Sequence, residues 1–311
     1  DAMLAPPPYT TKYETEILAE EQREGYRAKK LCFNLTGYSR VNAYVLIPDG
    51  EGPFPAVVLL HDHGGHYTIG KEKMIRPFGV DKAVLDDADA WAANCYGGQY
   101  AGDYLAAHGY VVISVDALYW GERGRKEGAD GSKYADNAGN FMMLGRSLSA
   151  FMNYEDMYTT DYLATLPEVD PKRIACMGFS MGGYRAWMLS ALSDKIQVGA
   201  AICWMTTTDC QFSWEYGRER GGFANMLPGI RRYLDYPHIA SIACPKPMLF
   251  LNGEHDKLFP PIGVRAAFAE MHEVWESRSA GDKLVTELWD MPHDCGKKVQ
   301  AKILDFLNKW L

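Results

Sequence analysis

At 311 residues, with 47% hydrophobic and 13% aromatic residues, the chain has ample apolar material for a large core. A formal net charge of −8 argues against nucleic acid or an anionic membrane as a partner, and no apolar run approaches the length that spans a bilayer. The opening Asp1-Ala2-Met3 has neither a charged nor an apolar leader region, so an export signal would have to lie outside this sequence. Location stays open between cytoplasm and periplasm or secretion, and the number of subunits is not legible.

In chain order, strands are predicted near Lys30–Leu35, Val41–Ile47, Ala56–Leu60, Tyr110–Val115, Arg173–Met177, Val198–Cys203, Met248–Leu251 and Leu284–Leu288. Several are continuous apolar runs, which suit strands covered on both faces in a parallel sheet. Helices are predicted near Tyr100–His108, Phe141–Leu166, Met181–Leu192, Pro261–Glu276 and Lys297–Leu311, and the first two strands are expected to pair antiparallel at an edge. No composition break or Pro/Ser/Gly-rich linker divides the chain, so one α/β domain over 1–311 is expected. Three long connections, Gly65–Gln99, Leu118–Asn140 and Trp204–Ser241, all follow strands. They are therefore expected at the carboxyl edge of the sheet, where they would wall a ligand site; the last is read as a cap insertion.

Gly178-Phe179-Ser180-Met181-Gly182-Gly183 follows one of these strands and opens a helix. Glycines on both sides of Ser180 permit the sharp turn that lifts a serine hydroxyl above a sheet. Asp256 stands in the loop after Met248–Leu251, and His293 follows the last strand. Serine needs a histidine to take its proton and a carboxylate to hold that imidazole in the right tautomer, and here the three occur in the order Ser, Asp, His. Glu254 is the alternative acid. His255, beside Asp256, is read as packing its loop, and Asp290 and Asp294 as solvated neighbours of His293.

This order, together with Leu60-His61-Asp62-His63-Gly64-Gly65, Val115-Asp116-Ala117, Trp120-Gly121-Glu122-Arg123-Gly124 and Leu227-Pro228-Gly229-Ile230-Arg231-Arg232-Tyr233, resembles the α/β-hydrolase fold. The likeness is narrower to its dienelactone-hydrolase-like and acetyl-xylan-esterase-like branch, and it covers nearly the whole chain. It implies a mostly parallel sheet of about eight strands flanked by helices, with long loops over the active site. Dienelactone hydrolases carry cysteine at the elbow, whereas this chain has Ser180, which favours ester hydrolysis.

Acyl transfer needs donors aimed at the developing oxyanion. The first expected is the Met181 N–H, directly after the nucleophile; the resemblance points to His63 N–H as the second, ahead of Asp62 N–H. Trp120, Arg123, Trp204, Trp214 and Arg218, in the long loops, are candidates to touch substrate, although such aromatics equally pack loops onto a sheet. Glu122 with Arg123 is alternatively a structural ion pair.

Other motifs carry less. His61, Asp62, His63 and His66 have the composition of a metal site, but adjacent side chains on extended backbone diverge, so no metal is expected. Gly65-His66-Tyr67-Thr68-Ile69-Gly70-Lys71 imitates a phosphate loop, yet Glu72 stands where a Ser or Thr would meet magnesium, and no cofactor is expected. Asn34-Leu35-Thr36 is a sequon inside a predicted strand. The seven cysteines are scattered and read mainly as free, with one disulfide left open.

The function that the resemblance implies is a serine esterase without cofactor, removing acetyl groups from plant-type polysaccharides or oligosaccharides. Methyl esters of uronic acids, feruloyl or small esters, and a catalytically idle binding module are the alternatives. Met181 stands where glucuronoyl esterases carry arginine, which counts against that activity.

Overall fold

A computed structural model describes residues 4–124, 130–212 and 222–311. Its strands are β1 (Glu16–Arg23), β2 (Tyr26–Thr36), β3 (Ser39–Pro48), β4 (Phe54–Leu60), β5 (Val111–Val115), β6 (Val169–Phe179), β7 (Ile196–Ile202), β8 (Met248–Gly253) and β9 (Leu284–Trp289). All join one sheet in the order β1-β2-β3-β5-β4-β6-β7-β8-β9. β1, β2 and β3 pair antiparallel, as do β3 and β5; every later pairing is parallel.

Period-two alternation divides the core into two layers. Val57 and Leu59 of β4 face a cluster with Met177, Ile202, Leu251 and residues Ile303 and Leu307 of the last helix. Ala56, Val58 and Leu60 face the opposite cluster, with Tyr162, Leu163, Ala186 and Leu189. Both faces of β4 and β5 are thus dry, which is why VVISV and FPAVVLL read as unbroken apolar runs rather than alternating ones.

The helices are α1 (Lys82–Cys95), α2 (Ala101–Ala106), α3 (Gly131–Met143), α4 (Leu148–Leu163), α5 (Met181–Leu192), α6 (Thr208–Gln211), α7 (Tyr236–Ala240), α8 (Pro261–Ser277) and α9 (Lys297–Trp310). Three expectations need correction. The sheet has a ninth strand, β1, whose sequence EILAEEQR lies on the exposed edge and lacks an apolar face. The predicted loops Gly65–Gln99 and Leu118–Asn140 contain α1 and α3. The helix predicted over Phe141–Leu166 is interrupted: Gly145 takes φ 67°, and the Ser147 side chain accepts the Ala150 N–H to start α4. All seven cysteines are free. Among the described residues no helix is long and apolar enough to cross a membrane.

Candidate active site

β6 delivers Ser180 to the carboxyl edge, and α5 begins at the next residue. Ser180 adopts φ 56° and ψ −124°, a conformation that costs a non-glycine residue about 1–3 kcal/mol. Its neighbours over-determine it. The Ser180 N–H donates to Ile202 O at 2.9 Å, tying the turn to the end of β7. A β-carbon on Gly182 would overlap the Leu60 carbonyl, and one on Gly178 would overlap the Gly182 carbonyl, so both glycines are required by close backbone approach.

Asp256 follows β8 and His293 follows β9, on two adjacent loops that are joined backbone to backbone. Glu254 N–H donates to Trp289 O at 2.8 Å, and His255 N–H to Met291 O at 3.1 Å. His293 Nδ1 lies 2.6 Å from Asp256 Oδ2. An ionised carboxylate only accepts, so Nδ1 carries the proton and Nε2 keeps its lone pair. Asp256 is buried, while the His293 side chain is 24% exposed.

Ser180, Met181 and His293 line a cavity of about 540 Å³ together with Asp62, His63 and Gly64 of the loop leaving β4. The rest of the wall is largely aromatic: Tyr67, Trp91, Tyr134, Phe179, Trp204, Phe223 and Phe259. In the β4 loop, His61 Nε2 accepts the Ala117 N–H at 2.9 Å, so its Nδ1–H donates to Asp62 O at 2.8 Å. His63 Nδ1 accepts the Gly65 N–H at 3.0 Å. Burial, reinforced by nearby Lys73, lowers the His63 imidazole to about 4, and burial together with Arg185 lowers His61 well below the ordinary range. Both rings are neutral at pH 7, with His61 fully occupied by protein partners.

Beneath the loop, Glu72, Asp116 and Glu122 converge as a metal site would. Lys71 occupies its centre: Nζ lies 2.8, 2.8 and 2.7 Å from their carboxylates. The cluster therefore brings its own cation, and Glu122 is further paired with Lys30 at 2.8 Å.

A family model described as the abhydrolase family matches residues 2–279. The chain belongs to that family. A Bacillus subtilis (strain 168) protein named "Putative hydrolase YtaP" is 29% identical to this abhydrolase over 297 residues, covering 95% of this chain and 92% of its own. A solved structure of "a putative acetyl xylan esterase" from Bacteroides fragilis NCTC 9343 matches with TM-score 0.73 at 18% identity, over 92% of this chain and 72% of that one. A glucuronoyl esterase from Solibacter usitatus matches with TM-score 0.65 at 15% identity, over 97% and 87% respectively. Such distant likenesses bear on the fold, and it is that of the α/β-hydrolases.

Of the residues singled out from the sequence, Ser180, Met181, His63, His293 and Trp204 line one cavity, with Asp256 behind His293. Trp120 does not line it. That indole is fully buried and donates from Nε1 to His63 O at 3.2 Å, bracing the loop from behind. Arg123 also points away, in a two-pronged pair with buried Glu155 at 2.7 and 2.6 Å, and the expected Glu122–Arg123 pair is replaced by Lys71–Glu122 and Arg123–Glu155. Trp214 and Arg218 lie outside the described residues. His255 bonds Asp290 at 2.7 Å on the outer surface, and Asp294 accepts the Gly296 N–H at the start of α9. The sequence reading missed Trp91, Tyr134, Phe223 and Phe259. Trp91 had one usable signal, as the sole large aromatic in an Ala- and Asp-rich stretch.

Proposed function

We propose that this abhydrolase is a serine esterase that removes acetyl groups from hydroxylated glycans. Ser180 Oγ attacks the ester carbonyl while His293 Nε2 takes its proton, and Asp256 holds the imidazolium that forms. Met181 N–H and His63 N–H stabilise the oxyanion. Collapse of the tetrahedral intermediate transfers the proton from His293 to the departing alcohol, and a water activated by the same histidine then cleaves the acyl-enzyme.

The observation that carries this reading is the cavity lined jointly by a serine on a strained strand-to-helix turn and by a histidine with a short bond to a buried carboxylate. The glycan preference draws on the aromatic wall, whose ring faces suit a sugar ring, and on the activity named for the Bacteroides fragilis structure.

Acetylated xylan, methylated pectin and a feruloylated oligosaccharide, supplied in parallel with acetate, methanol and ferulate read separately, test the substrate. Acetate release is expected to dominate; methanol or ferulate in its place would reassign the ester. A serine-directed phosphonate should add once, on Ser180. An unlabelled protein that releases no product would make it a binding module.

A further inference from the structure

Lys73 is wholly buried, yet it belongs to no part of the proton-transfer machinery. It sits in the single turn Lys71–Lys73 beneath the loop that leaves β4. Its Nζ donates to Asp62 O and to His63 O, at 3.0 Å each, and stands 3.6 Å from Asp62 Oδ1. The ammonium also lies 5.2 Å from the centre of the Trp91 ring. Both carbonyls receive further donors: His61 Nδ1–H reaches Asp62 O, while Trp120 Nε1–H and His66 N–H reach His63 O.

Five hydrogen bonds from four groups on two consecutive carbonyls leave those peptide planes little freedom to rotate. The two peptides are trans, so each C=O points opposite to the N–H of its own plane. Drawing the Asp62 and His63 carbonyls toward Lys73 therefore turns the His63 and Gly64 N–H groups the other way. Asp62, His63 and Gly64 line the cavity that holds Ser180, and neither N–H donates to another described residue. Gly64 completes the turn at φ 62°, where a β-carbon would overlap Trp91.

We propose that Lys73 is a positioning residue of the oxyanion hole: its ammonium clamps the Asp62 and His63 carbonyls and thereby aims the His63 and Gly64 N–H groups at the charge developing on the substrate. The inference rests on the reading of Ser180 as nucleophile. A cation on the carbonyl side of a peptide also polarises it and strengthens its N–H as a donor, an effect enlarged in a low-dielectric interior. Burial lowers the Lys73 pKa, and the nearby Asp62 carboxylate opposes that shift.

Lys73→Met retains side-chain length without donors, and Lys73→Met/Asp62→Asn does so with the local charge balanced. On a small acetyl ester, kcat should fall by about 10²–10³-fold, the usual cost of losing an oxyanion donor, with KM within about twofold. Affinity for a trifluoromethyl ketone, whose hydrate-like adduct needs the hole, should fall by a similar factor. The thermal transition should remain cooperative in at least one variant.

A folded variant that keeps its kcat and its ketone affinity would overturn the role, as would a loss confined to KM. Failure of both variants to fold would also overturn it, by making Lys73 a structural cation. Phosphonate labelling of the unsubstituted protein separates the two levels: without an adduct on Ser180 the nucleophile assignment falls, whereas an adduct on Ser180 with an unaffected Lys73 variant removes only the clamp.

Discussion

Asp256 divides its two carboxylate oxygens between His293 and the backbone: Oδ2 lies 2.6 Å from His293 Nδ1, and Oδ1 accepts the Leu258 N–H at 2.8 Å. The split fixes what an amide would do in its place. In Asp256→Asn the oxygen must stay on Leu258 N–H, so the NH₂ faces Nδ1 and drives the imidazole proton to Nε2, where a base is needed. A kcat lower by about 10⁴-fold is expected, as for the same change in other triads. Steady-state kinetics on a chromogenic acetate decides; activity within tenfold of the unsubstituted enzyme would remove Asp256 from the mechanism.

Arg123 is committed to Glu155, whose side chain is 4% exposed. Arg123→Met leaves a carboxylate buried without its partner, which costs about 3–5 kcal/mol. The urea midpoint should drop accordingly, while KM for the surviving folded enzyme stays unchanged and shows no new salt dependence. A raised KM with unaltered stability would return Arg123 to the substrate site.

The neutral histidines of the β4 loop make the fold sensitive to acid. His63 titrates at about 4 in the folded protein, against about 6.5 in an unfolded chain. Between those values the unfolded state binds more protons, so stability is fully present above about 6.5 and is lost as pH falls toward 4. Allowing for partial exposure, His63 alone should account for on the order of 1–2 kcal/mol between pH 7.5 and 5. Urea titrations at the two pH values, compared with His63→Gln, check this; equal pH dependence in both proteins would contradict it.

The parts of the fold legible in sequence are those where one physical requirement dominates. Strands β4 and β5 are buried on both faces and must be apolar throughout, and α5 begins at the residue after Ser180 because the Gly178 and Gly182 contacts leave no alternative turn. β1 escaped because an exposed edge strand is held by backbone pairing to β2, which places no demand on its side chains. α1 and α3 escaped because each buries little: only Ala88 and Ala92 in α1, and Tyr134 and Ala138 in α3, are fully buried. That Ser180, Asp256 and His293 would meet was legible from their order after strands, since the sheet itself gathers strand ends at one edge. The support beneath them was not. Lys73, Trp120 and Arg123 act through partners 10 to 57 residues away in the chain, and nothing in local spacing announces which side of a loop such a residue will take.

At Gly182 the backbone of α5 rests on the backbone of β4, with no side chain between them. Helix α5 and the strand feeding the opposite loop thus share a hard stop, and the two cannot draw closer together than this contact allows. Accommodation of a bulkier or differently shaped ester is left to the outer wall. Phe223 and Phe259 can be exchanged there without disturbing that contact, so divergence in substrate among relatives should accumulate at those two positions before it reaches the floor.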